Sequence, residues 1–124
     1  MDKKEFEAVI QLPSNIRYEY FIKKIADNEE VWALYDNGWA LTSDDNGNLL
    51  FPFWPKREFA EACAIKEWEL YKSESIVLYE FIDDLLPHLK EEGIKPSIFF
   101  NNDDSAVLEV DVLIKDIYTE LENY

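Results

Sequence analysis

The sequence predicts an α+β fold in which an antiparallel sheet, made of a three-stranded meander and a C-terminal hairpin, packs with about five helices. The meander is predicted by residues 31–55, VWALYDNGWALTSDDNGNLLFPFWP, where three strand-like runs are separated by two turns rich in Asn, Asp and Gly. The helices are predicted by apolar residues at helical spacing on both sides of that stretch. A chain of 124 residues with 48% hydrophobic content and no linker fits a single domain over 1–124.

The two turns set the predicted pairing of the meander. Asn37-Gly38 favours a type I′ turn, which places Asp36 opposite Trp39, because both central residues of that turn need positive φ. The turn at 45–48 favours a four-residue loop, which pairs Leu41 with Pro52 and points the proline nitrogen outward. Pro52 also predicts that the third strand lies at a sheet edge.

One face of the meander then carries Trp32, Leu34, Trp39 and Leu41. The opposite face carries Val31, Ala33, Tyr35, Ala40, Thr42, Leu49, Phe51 and Phe53. This second face is too apolar to lie entirely in water. Two alternatives follow: either helices cover both faces, or one aromatic face binds a partner, and exposure of the second face would predict a homodimer.

The N-terminal half contains three predicted helices. Asp2 caps a helix over 3–11, and Ser14 or Asn15 caps a second helix to Ala26. The apolar stripe of the second helix is Tyr18, Phe21, Ile22 and Ile25, and Arg17, Lys23 and Lys24 make it the least acidic helix. Pro55 begins a third helix over about 56–66, with Phe59, Cys63 and Ile65 on its buried side, and Trp68 and Tyr71 extend this pattern if the helix continues.

The C-terminal half is predicted to contain two helices and a hairpin. Residues 76–78 are a short strand or an extended lead-in to a helix over 79–92, which Pro87 should kink and Gly93 should end. Residues 94–100 and 106–110 form a hairpin around Asn101-Asn102-Asp103-Asp104. Asp111 caps the final helix, whose apolar stripe is Ile114, Ile117, Tyr118 and Leu121.

The sequence predicts no metal and no cofactor. The loops 44–48 and 101–104 resemble oxygen-ligand loops, but the calcium-loop template puts Thr42 at its first ligand position and Phe53 where a bidentate glutamate belongs. Both loops are therefore interpreted as β-turns. One His and one Cys cannot supply the usual zinc ligands, and the three glycines fall at turns or caps rather than in a phosphate loop.

The sequence predicts no catalytic residue either. His88, the single histidine, lies on a helix beside Leu86 and Leu89, with no nucleophile near it in sequence. The pair Asp83-Asp84 points in different directions on a helix. Cys63 lies among apolar residues at helical spacing and is interpreted as a small core residue.

Charge limits the class of partner. Twenty-seven acidic and twelve basic residues give a formal charge of −15, which disfavours nucleic acid and anionic membrane and favours a basic protein. The alternative is that the charge only keeps the protein soluble. The start of the chain lacks the basic and apolar regions of a signal peptide, and no apolar run is long enough to span a membrane, which predicts a cytoplasmic protein.

An aromatic cluster at the end of the meander is the candidate partner-binding site. Its members are Trp39, Phe51, Phe53 and Trp54, followed by Arg57. Trp and Arg are frequent anchors of protein interfaces. The alternative is that these aromatic residues pack in the core of a small domain.

Three segments, in this order, resemble a bacterial family catalogued as domain of unknown function 2750: RYEYFIKKIADNEEVWALYDNGWAL, LLFPFWPKREFAEACA and IVLYEFIDDLLPHLKEEGI. The resemblance implies a small cytoplasmic protein with no established activity and transfers no catalytic residue. The order of tryptophan-rich hairpin and helices is also similar in style to small immunity proteins of bacterial toxin systems.

Residues and resemblance together predict a non-catalytic protein-binding or regulatory domain. One alternative is an immunity-like protein that neutralises a basic toxin. The other is an enzyme that uses carboxylates around Asp44 and Asp45.

Overall fold

The computed structural model describes residues 1–124 and confirms the α+β class. The helices are α1 (Lys3–Ile10), α2 (Ser14–Asn28), α3 (Arg57–Ala62), α4 (Leu78–Glu80), α5 (Leu86–Glu92) and α6 (Val110–Leu121). A 3₁₀ turn covers Lys66–Trp68, and a π-helical segment, Phe81–Leu85, joins α4 to α5. The strands are β1 (Glu30–Tyr35), β2 (Thr42–Ser43), β3 (Leu49–Phe53), β4 (Lys72–Val77), β5 (Lys95–Ile98) and β6 (Ala106–Val107).

The strands form two ladders joined at one point. β1 pairs with β4 in antiparallel fashion, and the second ladder has the order β2-β3-β5-β6. Within it the pairing of β3 with β5 is parallel, so the sheet is mixed rather than purely antiparallel. Trp32 and Trp54 join the ladders through two backbone hydrogen bonds of 2.9 and 2.8 Å.

The predicted meander is wrong in its first pairing. β1 pairs along its whole length with β4, and Tyr35, rather than Asp36, lies opposite Trp39. The six-residue β4 offers β1 a longer ladder than the run after Asn37-Gly38, which forms only the two-residue β2. Its sequence KSESIV has no apolar alternation, which is why only its end was predicted as extended.

Pro52 lies in an interior strand, contrary to the edge prediction, yet its ring interrupts no ladder. Thr42 pairs with Leu50, one residue away from the predicted register. The backbone groups of Trp54 face β1, so by the alternation of a strand the Pro52 nitrogen points to the same side. The nitrogen therefore lies in the gap between the end of β2 and Trp32. No backbone carbonyl pairs with β3 at that point, so the missing N–H costs no hydrogen bond.

The caps of the helices agree only in part with the prediction. The Asp2 carboxylate accepts the backbone N–H of Lys4 at 2.8 Å, which confirms that cap. α2 has Pro13 at its N-cap and no side-chain cap, and α6 has Glu109 there. Asp111, predicted as a cap, instead lies in the first turn of α6.

The predicted break at Pro87 is confirmed as a π-helical segment. The N–H of Leu86 bonds to the carbonyl of Phe81, five residues earlier. This wider turn accommodates a proline that lacks an N–H and would clash with the preceding turn of a regular helix. The third predicted helix is shorter than expected: α3 ends at Ala62, and Ile65 is 44% exposed rather than buried.

Helical segments cover both faces of the sheet, which decides between the two alternatives. Phe53 packs edge-on against Phe81 at 4.7 Å, on the face covered by the π-helical segment. Trp54, on the other face, packs edge-on against Trp68 of the 3₁₀ turn at 6.3 Å. The homodimer prediction required an exposed second face, but Val31, Ala33, Phe51 and Phe53 of that face are buried, while Tyr35 and Leu49 at its end are exposed. No helix has both the length and the apolar character needed to cross a membrane.

Gly93 ends α5 in the left-handed region, with φ of 72°, as predicted, and a Cβ there would meet no atom within 4 Å. We expect Gly93→Ala to lower the free energy of unfolding by about 1 kcal/mol, because the cost is purely conformational. Gly93→Asn should cost less, since Asn tolerates this region better. Urea unfolding of the three proteins measures both values, and equal stability of all three would contradict the conformational account.

Candidate functional site

The largest cavity is a cleft of about 480 Å³ on the Trp54 face of the sheet, which we call the acidic cleft. Its acidic members are Asp44, Asp45, Glu67, Asp103 and Asp104. Four hydroxyl side chains also line it, namely Thr42, Ser43, Ser97 and Ser105. The apolar members are Leu50, Pro52, Trp68 and Phe100. No Lys, Arg or His lines the cleft, although Arg17 pairs with Asp104 from behind it.

The cleft lies over the face of β3 and β5 where Pro52 pairs with Ser97. The loop that precedes β3 borders it at one end of these parallel strands, and the loop that follows β5 borders it at the other end. The sequence identified both acidic loops separately. It gave no sign that residues 44–45 and 103–104 line one cavity.

The loop at 44–48 is organised by the Asp44 carboxylate. Its Oδ1 accepts the backbone N–H groups of Asn46 and Asn48, each at 2.9 Å, and its Oδ2 accepts the Asn48 side-chain amide at 3.1 Å. The backbone N–H of Asn48, followed by its side-chain amide, holds the pKa of Asp44 below its ordinary value. Asp44 is therefore an anion across the neutral range.

Arg17 holds the other side of the cleft, residues 99–105, which we call the rim loop. The side chain is almost fully buried, with a relative exposure of 1%. Its Nε donates to the Phe99 carbonyl at 3.1 Å and its Nη1 to the Leu12 carbonyl at 2.5 Å. Its Nη2 donates to the carbonyl and the carboxylate of Asp104, at 2.7 and 2.6 Å. One guanidinium thus joins the turn before α2 to both ends of the rim loop.

Other side chains fix the middle of the rim loop. The Phe100 carbonyl accepts the Trp54 indole N–H at 2.8 Å and the Cys63 thiol at 3.2 Å. The side-chain amides of Asn101 and Asn102 donate to the carbonyls of Ile10 and Ala62, at 2.8 and 3.1 Å. These bonds hold the loop in one arrangement, although Phe99 has φ of 58°, a region that a bulky residue rarely adopts.

Sequence reasoning missed Arg17 as the anchor of the cleft. It recognised Arg17 only as one of three cations on α2. Arg17 precedes Phe21 and Ile25 at intervals of four residues, so it continues the buried stripe of that helix. A charged residue on a buried stripe was the available signal, because such residues are almost always paired.

The hydroxyl and thiol groups in and behind the cleft are not hydrogen-bonded to a base. The Ser97 hydroxyl bonds to the Ser105 hydroxyl at 2.7 Å, not to a carboxylate or an imidazole. Burial raises the pKa of Cys63 to about 11, so its thiol, behind the rim loop, is protonated at neutral pH. No group of three or more His, Cys, Asp or Glu side chains is arranged to hold a metal ion.

The structure places the candidate partner-binding residues outside the cleft, most of them in the core. Phe51, Phe53 and Trp54 have exposures of 3, 0 and 0%, so a partner cannot reach them without unfolding the sheet. Trp39 is half-buried and packs edge-on against Tyr35 at 5.0 Å. Arg57 is exposed, and its guanidinium lies 5.3 Å from the centre of the Trp32 ring. Only Trp39 and Arg57 are accessible to a partner.

Comparison with known proteins gives one match. A family model described as "Protein of unknown function (DUF2750)" matches residues 18–117, a span that contains every residue lining the acidic cleft. No curated protein and no solved structure matches the chain.

Two adjacent aspartates test the role of Arg17. Asp104→Asn should lower the free energy of unfolding by about 2 kcal/mol, below the usual cost of breaking a buried ion pair because the carboxylate itself is partly exposed. Asp103→Asn, the matched control, should change it by less than about 0.5 kcal/mol, because the Asp103 carboxylate makes no ion pair or hydrogen bond. Urea unfolding distinguishes them, and equal losses would contradict the anchoring role.

Two asparagines test the charge state of the 44–48 loop. Asn48→Ala removes the amide that bonds to Asp44, so the pKa of Asp44 should rise towards its ordinary value. Asn46→Ala should leave it unchanged, because Asn46 contributes only its backbone N–H. An NMR titration of the Asp44 carboxyl carbon measures both. Because the folded pKa is lowered, the contribution of Asp44 to stability is present at neutral pH and is lost as the pH falls through that lowered value.

Proposed function

The chain belongs to the family described as "Protein of unknown function (DUF2750)", and from that premise we propose that it is a non-catalytic cytoplasmic binding protein whose acidic cleft receives a basic segment of another protein. The family supplies no activity, so the proposal stands on the chemistry of the cleft. The observation that carries it is the meeting of both acidic loops in one cavity that contains no cation.

The cleft combines the two properties that a lysine or arginine side chain needs. Trp68 and Phe100 pack edge-on at 6.3 Å and, with Pro52, give an apolar surface for the aliphatic part of such a side chain. The carboxylates at the rim would accept its charged end, with the hydroxyls of Thr42 and Ser97 beside them. An anionic ligand would meet only negative charge and hydroxyls.

The fixed rim loop favours binding. Because Arg17, Trp54, Asn101 and Asn102 already hold this loop by side-chain hydrogen bonds, a ligand would not have to order it. Pre-ordered groups lose little entropy on association, which raises affinity for a given set of contacts. The charge of −15 adds long-range attraction for a basic surface and so accelerates encounter.

Neutralisation of a basic toxin and regulation of another cationic protein are two forms of this recognition. Both need the same cleft, which has no structural feature that selects between them. The carboxylate-enzyme alternative has less support, because the lowered pKa of Asp44 makes it a poor proton donor and no nucleophile is paired with a base.

A cationic probe peptide tests the proposal. Fluorescein-labelled hexalysine is titrated with the wild-type chain and with two quadruple variants of equal charge. The cleft variant carries Asp44→Asn, Asp45→Asn, Glu67→Gln and Asp103→Asn, and keeps Asp104 because Arg17 depends on it. The control carries Asp83→Asn, Glu91→Gln, Glu92→Gln and Glu122→Gln, which are exposed and lie outside the cleft.

We expect the cleft variant to bind the probe at least about tenfold more weakly than wild type, a loss of about 1.4 kcal/mol. The control should lose less than about threefold, since distant charges are screened at physiological salt. Fluorescence anisotropy at 150 mM salt provides the dissociation constants. Equal losses in both variants would show that only net charge attracts the peptide, and the cleft proposal would then fail.

A further inference from the structure

We propose that the outer edge of β4 is a docking site at which an extended segment of a partner protein, bearing lysine or arginine, adds to the β1–β4 pair as a further strand. This inference concerns a second surface and does not depend on the acidic cleft. It rests on a free sheet edge that lies beside an open groove with acidic walls.

The hydrogen-bonding sides of β1 and β4 follow from two observations. The Leu78 N–H bonds to the Glu29 carbonyl at 2.9 Å, so these residues form a hydrogen-bonded pair. The antiparallel register of β4 on β1 continues directly from this pair. The Trp32 backbone bonds to Trp54 on the other side of β1. Because backbone groups alternate along a strand, the even-numbered residues of β4 face β1 and the odd-numbered ones face away from it.

The outward positions are therefore Ser73, Ser75 and Val77. β4 pairs only with β1 and has no strand on its other side. The outward backbone N–H and C=O groups of Ser73 and Ser75 have no other backbone hydrogen bond. β4 contains no proline, glycine or left-handed residue that would break the edge. An added strand could form a regular ladder there, with bonding residues about 6.7 Å apart.

A groove adjoins the same strand. It has a volume of about 420 Å³ and is lined in part by Ser75 and Ile76 of β4. Trp39 and Leu85 supply its other apolar surface. In β-augmentation the backbone bonds supply affinity and pockets for alternate side chains supply specificity. This groove lies where the added strand could place a side chain.

The charges around the groove select a cationic side chain. Glu80 and Asp84 line it, and His88 is the single basic group there. On β4 itself the negative charge of Glu74 is offset by the positive charge of Lys72. The carboxylates of the helical wall therefore give the groove its negative charge. A lysine or arginine would lay its aliphatic part against Trp39 and its charged end among these carboxylates.

The same charges disfavour a second copy of the chain as the occupant. Each copy carries a formal charge of −15, so two copies repel one another. An antiparallel pair centred on Glu74 would set two glutamates directly opposite, which is destabilising. Charged side chains such as Lys72 and Glu74 are a common means by which edge strands avoid self-association. A partner with a basic extended segment meets neither obstacle.

The test uses a labelled nine-residue peptide of alternating lysine and valine, and a single position of β4. Ser75→Pro removes an outward N–H without removing a β1–β4 hydrogen bond, whereas Ser75→Ala keeps that N–H and serves as the matched control. We expect Ser75→Pro to weaken binding at least about tenfold and Ser75→Ala to change it less than about twofold, by fluorescence anisotropy.

Two further measurements apply to the wild-type chain and keep the proposal testable if Ser75→Pro fails to fold. A peptide N-methylated at every residue has no N–H left on either edge, so it cannot form a regular ladder and should bind at least about tenfold more weakly. In ¹⁵N spectra the unmodified peptide should shift the amides of Ser73, Ser75 and Val77. A peptide with glutamate in place of lysine should not bind.

Four results would overturn the inference. The first is equal affinity of the Ser75→Pro and Ser75→Ala proteins, and the second is equal affinity for the N-methylated peptide. The third is amide shifts confined to Thr42, Ser97 and Ser105, which would assign the peptide to the acidic cleft alone. The last is a homodimer, seen as twice the chain mass in solution without peptide, that Ser75→Pro converts to a monomer. A second copy of the chain would then occupy the edge of β4.

Discussion

The structure depends on one buried charge, the guanidinium of Arg17. Removing an arginine from water is costly, and the cost is recovered only when hydrogen bonds and an opposite charge surround it. Arg17 obtains them from the nearby Leu12 carbonyl and from Phe99 and Asp104, which are more than eighty residues away in sequence. Satisfying this one side chain therefore requires the turn before α2, the end of β5 and the rim loop to take up a single relative arrangement.

The acidic cleft is a consequence of that arrangement. The rim loop cannot relax outward without leaving Arg17 unpaired, and its bonds to the Trp54 indole and the Ile10 carbonyl tie it to two further elements. The loop at 44–48 lines the same cavity from the opposite end of the paired strands β3 and β5. Hydrogen bonds to Asp44 and Asp104 thus hold the two acidic loops, while the carboxylates of Asp45, Glu67 and Asp103 make no hydrogen bond or ion pair.

How much of this the sequence predicts depends on the range of each interaction. Local signals predicted α1 with its Asp2 cap, the break at Pro87 and the stop at Gly93, because each acts within a few residues. The pairing of β1 was predicted wrongly, because β4 is an edge strand with no apolar alternation. The cleft was not predicted, because the pairing of β3 with β5, over whose face it lies, joins strands more than forty residues apart. Most residues of the aromatic cluster lie in the core, as large aromatic side chains in a small protein usually do.

The most direct test of the central claim, that the Arg17-anchored rim loop is fixed before any ligand binds, is native-state hydrogen exchange by NMR. The amides of Asn101 and Asp104 are bonded within the rim loop, whereas the amide of Asp45 has no hydrogen bond and serves as an internal reference. The account predicts that the two rim-loop amides exchange about 100-fold more slowly than that of Asp45 in the free protein, after correction for intrinsic rates. Exchange of all three amides at the same unprotected rate would contradict it.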